Sequence, residues 1–114
     1  MTETHLTLLK GTVDILILAS LGEGASRHGY GIAEWIEAVT GGTLLLEEGT
    51  LYPALHRLQR KGLLASEWGS SENNRRARFY RLTEAGESQR AEAALEWDRY
   101  ARAVSSALAP GQAP

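Results

Sequence analysis

The chain has 114 residues, 43% of them hydrophobic and 23% charged, which suits a single globular domain with a hydrophobic core. It contains no cysteine, which excludes a disulfide-stabilised scaffold, a thiolate metal site and a thiol nucleophile, and which is typical of the reducing cytoplasm. The net charge of −2 does not by itself indicate a nucleic-acid-binding protein.

No segment has the pattern of a membrane or export sequence. The longest apolar run, residues 15–19, is far too short to cross a bilayer, so we expect no membrane association. The N-terminal "MTETHLTLLKG" lacks a basic start followed by a long apolar stretch, so we expect no signal peptide and a cytoplasmic protein.

The charge is unevenly distributed along the chain. Residues 1–48 carry a net charge of −5, residues 49–81 carry +5 and residues 82–114 carry −2. A basic third in an acidic chain favours a surface that binds nucleic acid. The alternative is a solvated face whose basic side chains form ion pairs with the acidic thirds.

The first predicted helix covers residues 6–22, which are apolar on nearly all sides, so most of its surface should be buried. Thr12 is a candidate N-cap after Gly11, and the helix begins either there or six residues earlier. A glycine-rich loop follows.

A second helix is predicted over residues 30–39, where Ile32, Ile36 and Val39 recur at helical spacing. It should end at Gly41-Gly42, because glycine adopts the left-handed conformation of a helix C-terminus at little cost. The next residues, "TLLL", predict one brief strand.

The third predicted helix lies within "EEGTLYPALHRLQRKG", residues 47–62, and its buried stripe consists of Leu51, Leu55 and Leu58. Pro53 is tolerated in the first turn of a helix, where its missing N–H would have no partner. The helix should therefore begin close to Gly49 or Thr50, with Thr50 as a plausible N-cap.

The pattern changes to strands after residue 62. The segments "LLASEW" and "ARFYRLT" predict an antiparallel hairpin with the polar loop "GSSENNRR" at its tip. Phe79 should face the core, with Arg78 and Tyr80 on the opposite face. Thr83 is the predicted N-cap of a last helix that runs to about Leu108, and residues 109–114 should form a disordered tail.

This order of elements is that of a winged helix-turn-helix with one added helix, so the predicted fold is mostly α (α+β). The DNA-binding domain would cover residues 1–82, and a dimerisation helix would cover residues 83–108. The third helix would then be the recognition helix, which lies in the DNA major groove and contacts bases from near its N-terminus. Its solvent face carries short polar groups early and a cation later: Thr50, Tyr52, Pro53, His56 and Arg57.

The hairpin tip would act as the wing. It would place Asn74, Arg75, Arg76 and Arg78 along the DNA backbone or in the minor groove. The alternative is a solubilising loop whose arginines pair across the strands with Glu67 and Glu72.

The sequence resembles the PadR family of bacterial transcriptional regulators from residue 6 to about residue 100. The similarity rests on four segments in this order: "LLKGTVDILIL", "HGYGIAEWI", "EEGTLYPALHRLQRKGLL" and "SEWGSSENNRRARFYRLTEAG". The resemblance implies a homodimer, usually a repressor, that binds a palindromic operator in double-stranded DNA without a cofactor. The single helix after Thr83 implies the compact branch of the family.

The resemblance also implies which residues contact DNA. They are the wing arginines together with Tyr30, Thr50, Tyr52, Pro53, His56 and Arg57. Lys10, in the first predicted helix, is a further candidate phosphate contact.

The last predicted helix carries an apolar seam with alternating spacings of three and four residues: Ala94, Trp97, Ala101, Val104 and Leu108. A second copy of the chain would bury this short coiled-coil seam. Trp97 has two interpretations. It is either a tryptophan of the dimer core or, as in compact PadR-like regulators, one wall of a pocket for a small aromatic effector, with Tyr100 and Asp98 beside it.

An enzyme is not expected. His5, His28 and His56 lie on separate elements without metal-ligand spacing, and no nucleophile stands beside a base. Two other functions remain open. One is a winged-helix module that binds a protein partner through its third helix without DNA, and the other is a DNA-binding repressor that has no effector.

Overall fold

The computed structural model describes residues 8–9 and 11–112, which contain four α-helices and a three-stranded antiparallel sheet. In chain order the elements are α1 (Thr12–Ser20), β1 (Arg27–His28), α2 (Gly29–Val39), α3 (Glu48–Arg60), β2 (Leu64–Ser70), β3 (Arg76–Leu82) and α4 (Glu84–Leu108). The predicted order of three helices, a hairpin and a long helix is confirmed. Pro110–Gln112 form a 3₁₀ turn, where the sequence predicted a disordered tail.

The N-cap residues of α1, α2 and α4 differ in whether their side chain accepts a hydrogen bond from the first turn of the helix. Gly11 is the N-cap of α1, and the Thr12 hydroxyl donates to the Leu9 carbonyl at 2.7 Å, so the prediction of Thr12 as N-cap was wrong. The Nδ1 of His28 caps α2 by accepting from the Gly31 N–H at 3.0 Å. Thr83 caps α4 as predicted.

Helix α3 begins earlier than predicted. Glu47 is its N-cap without a side-chain hydrogen bond, so Thr50 is the third helical residue and not the cap. Pro53 consequently lies in the second turn, where its missing N–H leaves the Gly49 carbonyl without the usual donor four residues later. The helix continues through this defect because the leucine stripe after Gly49 is buried in the core.

The third strand of the sheet is not where the sequence predicted it. Residues 43–46 form no strand, because Leu44 and Leu46 pack against the core in an irregular segment. Instead Arg27–His28 pairs with β3, opposite Tyr80 and Phe79, and gives the strand order β1-β3-β2.

The hydrophobic core lies between the first three helices and the base of the hairpin, and most of it was predicted. Val39 was not placed correctly: it is the last residue of α2 and is 58% exposed. Phe79 was also placed on the wrong side. Tyr80 is only 3% exposed and faces the helices, whereas Phe79 is half-buried on the opposite face against the His28 ring at 5.2 Å. Burial raises the pKa of Tyr80 above its ordinary value of 10.0.

Helix α4 is fixed to the rest of the domain at its first turn. The Thr83 hydroxyl donates to the Gly62 carbonyl at 2.6 Å, and the Thr83 N–H donates to the Leu63 carbonyl at 3.1 Å. Beyond these residues α4 packs on α1, and its C-terminal half is mostly exposed. Within residues 8–9 and 11–112, no helix combines the length and apolarity that a membrane span needs.

Candidate nucleic-acid interface

A groove of about 520 Å³ lies between α3 and the β2–β3 hairpin, and we call it the wing groove. The start of α2, one side of α3 and one face of the hairpin form its walls. It brings together six of the predicted DNA-contacting residues: Tyr30, Tyr52, His56, Arg75, Arg76 and Arg78. These residues come from three separate stretches of sequence, so only the fold assembles them.

The "HGY" stretch shapes one wall of the wing groove. His28 caps α2, and Tyr30 is 67% exposed. Between them, Gly29 lies so close to Tyr52 that a Cβ atom there would be 2.5 Å from the tyrosine Oη. The absence of a side chain at Gly29 therefore lets the Tyr52 ring lie against the start of α2.

Tyr30 and Tyr52 also border a second groove, of about 360 Å³, which we call the acidic groove. Its charged lining consists of Glu34, Glu37, Glu47 and Glu48. The two tyrosines thus form a ridge between a surface rich in arginine and a surface rich in glutamate. A polyanion is attracted to one side of this ridge and repelled from the other.

The remaining predicted residues of α3 face the other way, toward α1. Thr50, Pro53 and Arg57 line a groove of about 430 Å³ together with Gly11 and Asp14. Arg57 is not free in this groove, since its Nη2 forms an ion pair with Asp14 Oδ1. Asp14 was not predicted to belong to the site, because nothing in its local pattern distinguishes it from an ordinary acidic residue of a first helical turn. Lys10 lies outside the described residues.

The tip of the wing is a tight loop. The Ser71 N–H donates to the Arg75 carbonyl at 2.8 Å, and the Asn74 N–H donates to the Ser71 carbonyl at 2.8 Å. Asn74 has the left-handed φ of 59°, which asparagine tolerates better than most residues. It is exposed at the end of the hairpin, beside Arg75.

The two glutamates considered as partners of the wing arginines make other contacts. Glu67 stands opposite Phe79 in the sheet. Glu72 lies 3.5 Å from His28 Nε2, and its pKa is lowered by a backbone hydrogen bond and by this histidine. Among residues 11–112, the ion pairs do not include Arg75, Arg76 or Arg78.

Trp68 lies in the middle of β2, is 54% exposed and lines the wing groove. The guanidinium carbons of Arg76 and Arg78 lie over its ring, at 4.6 Å and 5.1 Å from the centroid.

The predicted seam of α4 is largely exposed in the single chain. Trp97 is 40% exposed and closes one side of an apolar cavity of about 340 Å³, which α1 residues such as Ile15 and Leu16 also line. The Tyr100 ring lies 6.2 Å from the Trp97 ring. Asp98 pairs with Arg102 at 2.9 Å instead of joining them. The other seam residues, Ala94, Ala101, Val104 and Leu108, are exposed or only partly covered.

Comparison with known proteins gives a consistent result. Residues 17–92 match the Transcriptional regulator PadR-like family. The Transcriptional regulator Rv3488 of Mycobacterium tuberculosis is 41% identical over 83 residues, which are 73% of this chain and 59% of that protein. Among solved structures, a transcriptional regulator from Clostridium thermocellum is 32% identical with a TM-score of 0.74, over 85% of this chain and 90% of that one. A PadR family transcription regulator from Clostridium difficile is 32% identical with a TM-score of 0.71, over 86% of this chain and 99% of that one.

Proposed function

Because this chain belongs to the PadR-like family of transcriptional regulators, we propose that it is a cytoplasmic repressor that binds a palindromic operator as a homodimer. The family consists of transcriptional regulators and not of enzymes. The observation that carries the proposal is the wing groove, where the exposed side of α3 meets three arginines that form no ion pair with any described residue.

The two walls of the wing groove suit different parts of a DNA duplex. Tyr52 and His56 project from α3, which is the element that enters the major groove in this fold. Arg75, Arg76 and Arg78 lie on the hairpin beside it, at a place where they can contact phosphates or the adjacent minor groove. Base contacts would then come from α3, and most of the salt-dependent affinity from the wing.

The homodimer would form along α4. The seam from Ala94 to Leu108 continues into the apolar cavity beside Trp97, so a second copy would cover both at once. An interface of this kind has two-fold symmetry, and a two-fold protein requires two half-sites in opposite orientation. The palindromic operator therefore follows from the proposed dimer.

The ligand response would arise at the same interface. A flat aromatic compound between the two Trp97 rings would change how the α4 helices cross, and with it the distance between the two α3 helices. A panel of planar aromatic compounds, each added at saturating concentration to the protein–operator complex, tests this. A compound that changes operator affinity supports the response, and a panel without effect leaves a repressor that has no aromatic effector.

Selection from a pool of random duplexes tests the DNA-binding proposal without knowledge of the regulated genes. The expected result is enrichment of an inverted repeat, followed by an affinity for it that falls roughly 10³–10⁵-fold between 50 and 200 mM salt, as for six to ten phosphate contacts. A pool that stays random after repeated rounds contradicts the proposal and favours the module that binds a protein partner.

A further inference from the structure

Trp68 is a large apolar side chain that the domain leaves in contact with solvent. It lies on β2 directly opposite Arg78, and Ser66, Trp68 and Ser70 share one face of the hairpin with Tyr80, Arg78 and Arg76. The base of this face is buried through Tyr80, and its outer part opens into the wing groove. The Trp68 ring therefore lies at the boundary between the protein interior and the proposed DNA-binding surface.

Arg78 is held on this face by two different groups. Its guanidinium carbon lies over the Trp68 ring, and its Nε donates to the Ser66 hydroxyl at 2.9 Å. The Ser66 hydroxyl in turn donates to Gln59 Oε1 at 3.2 Å. Because Gln59 belongs to α3, these contacts link the wing arginine to the recognition helix.

The hydrogen bond to Ser66 uses only the Nε of Arg78. The two terminal nitrogens carry four further N–H donors, and the guanidinium group forms no ion pair with any described residue. A guanidinium group with its stem fixed and its terminal donors available is suited to a phosphate, which takes two parallel hydrogen bonds from it.

From these contacts we infer that Trp68 is a positioning residue for DNA binding. It orders the guanidinium groups of Arg76 and Arg78 before DNA arrives, and the Arg78–Ser66–Gln59 chain fixes the angle between the wing and α3. This inference rests on the proposed function. It adds Trp68, Ser66 and Gln59, which would affect DNA binding only through Arg76 and Arg78. Ordering a long side chain in advance removes an entropic cost of binding, so Trp68 contributes to affinity without a contact of its own.

A double-mutant cycle with the duplex enriched from the random pool tests the inference. Trp68→Leu is expected to weaken binding roughly 5- to 30-fold, because two arginines then lose the ring that orders them. In the Arg78→Gln background, Trp68→Leu should reduce the affinity for the duplex by a distinctly smaller factor. The Arg75→Gln background is the matched control, since Arg75 lies on the wing away from the ring, and there Trp68→Leu should cost as much as in the unsubstituted chain. Trp68→Phe should restore most of the affinity.

Two results of this cycle overturn the inference: no loss of affinity in Trp68→Leu, or an equal loss in the Arg78→Gln and Arg75→Gln backgrounds. Urea unfolding of each variant separates a damaged fold from a disordered wing. Proton exchange at the Arg78 Nε–H can be measured by NMR without DNA. This measurement tests the positioning role even if the protein selects no duplex. Exchange should accelerate in Trp68→Leu and not in Trp68→Phe, and unchanged exchange contradicts the positioning role by itself.

Discussion

Gly29 determines where the Tyr52 side chain can lie. Its Cβ position is 2.5 Å from the tyrosine Oη, so Gly29→Ala must push the phenol out of its place in the wing groove. We expect operator affinity to fall by about 1–3 kcal/mol, the usual cost of losing one specific contact. Binding of the enriched duplex by fluorescence anisotropy measures this change.

Gly31→Ala is the control for Gly29→Ala, because both positions lie in the first turn of α2. A Cβ at Gly31 would lie 3.5 Å from the His28 ring and 3.6 Å from Arg27 Cβ, and both are ordinary contacts. The Gly31 variant should therefore bind DNA like the unsubstituted chain. Equal affinities for the two variants would show that the position of Tyr52 does not matter for binding.

Asp14 limits what Arg57 can do in the groove between α1 and α3. The ion pair neutralises Arg57, so Asp14→Asn should release a cation beside the proposed interface. One additional phosphate contact makes the slope of log affinity against log salt steeper by about 0.9. Titrations at four salt concentrations give this slope. In the double variant Asp14→Asn with Arg57→Gln, the slope should equal that of the unsubstituted chain. A steeper slope in the double variant would refute this explanation.

At the scale of elements, α4 approaches the connection between α3 and β2 closely at Gly86. A Cβ at Gly86 would lie 2.1 Å from the Leu63 carbonyl oxygen, which is backbone and cannot turn aside. Gly86→Ala should therefore shift α4 and lower the free energy of unfolding by roughly 1–3 kcal/mol, although alanine favours helix. Urea denaturation measures the loss.

Gly49→Ala is the matched helical control, since nothing lies within 4 Å of its Cβ position. It should raise the free energy of unfolding by up to about 1 kcal/mol through helix propensity alone. If both variants were equally stable, α4 would not depend on this close approach.

The elements were predictable where a periodic pattern coincides with burial. The leucines of α3 and the hairpin segments gave the right elements because their periods match the buried faces. The start of α3 was missed by one or two residues because Pro53 was assigned to the first turn, whereas the helix begins at Glu48 and Pro53 lies in its second turn. The strand at Arg27–His28 was missed because two residues are too few to show an alternating pattern. They form a strand only because they pair with β3.

The wing groove contains six of the residues that the sequence predicted to contact DNA, but their arrangement was not predictable. The sequence assigned Tyr52 and Arg57 to one surface, and the structure places them on opposite sides of α3. Contacts between distant segments, such as Asp14 with Arg57 or Trp68 with Arg78, leave no trace in local spacing. They follow from the packing of α1 on α3 and from the register of the hairpin.

At the scale of the whole molecule, the exposed seam of α4 is the surface that the proposed homodimer would bury. Val104 is 40% exposed in the single chain, and in the proposed dimer an aspartate at this position would lie unpaired in the interface. Val104→Asp should convert a dimer of twice the 12.4 kDa chain mass into a monomer in sedimentation equilibrium. Leu95→Asp is the control, because Leu95 is 72% exposed and lies off the seam. A Val104→Asp protein that still sediments as a dimer would place the interface elsewhere.

The ridge of Tyr30 and Tyr52 separates arginine side chains from glutamate side chains, so the surface charge is asymmetric despite the small net charge. With a charge of −2, the chain as a whole is weakly repelled by DNA at long range, while the local field of the arginines dominates within a Debye length of about 10 Å at 0.1 M salt. In the proposed complex, DNA would therefore exert a torque that turns the acidic groove outward before contact. Encounters in other orientations would separate quickly, and added salt, which screens the field of the arginines, should lower both the fraction of productive encounters and the lifetime of the proposed complex.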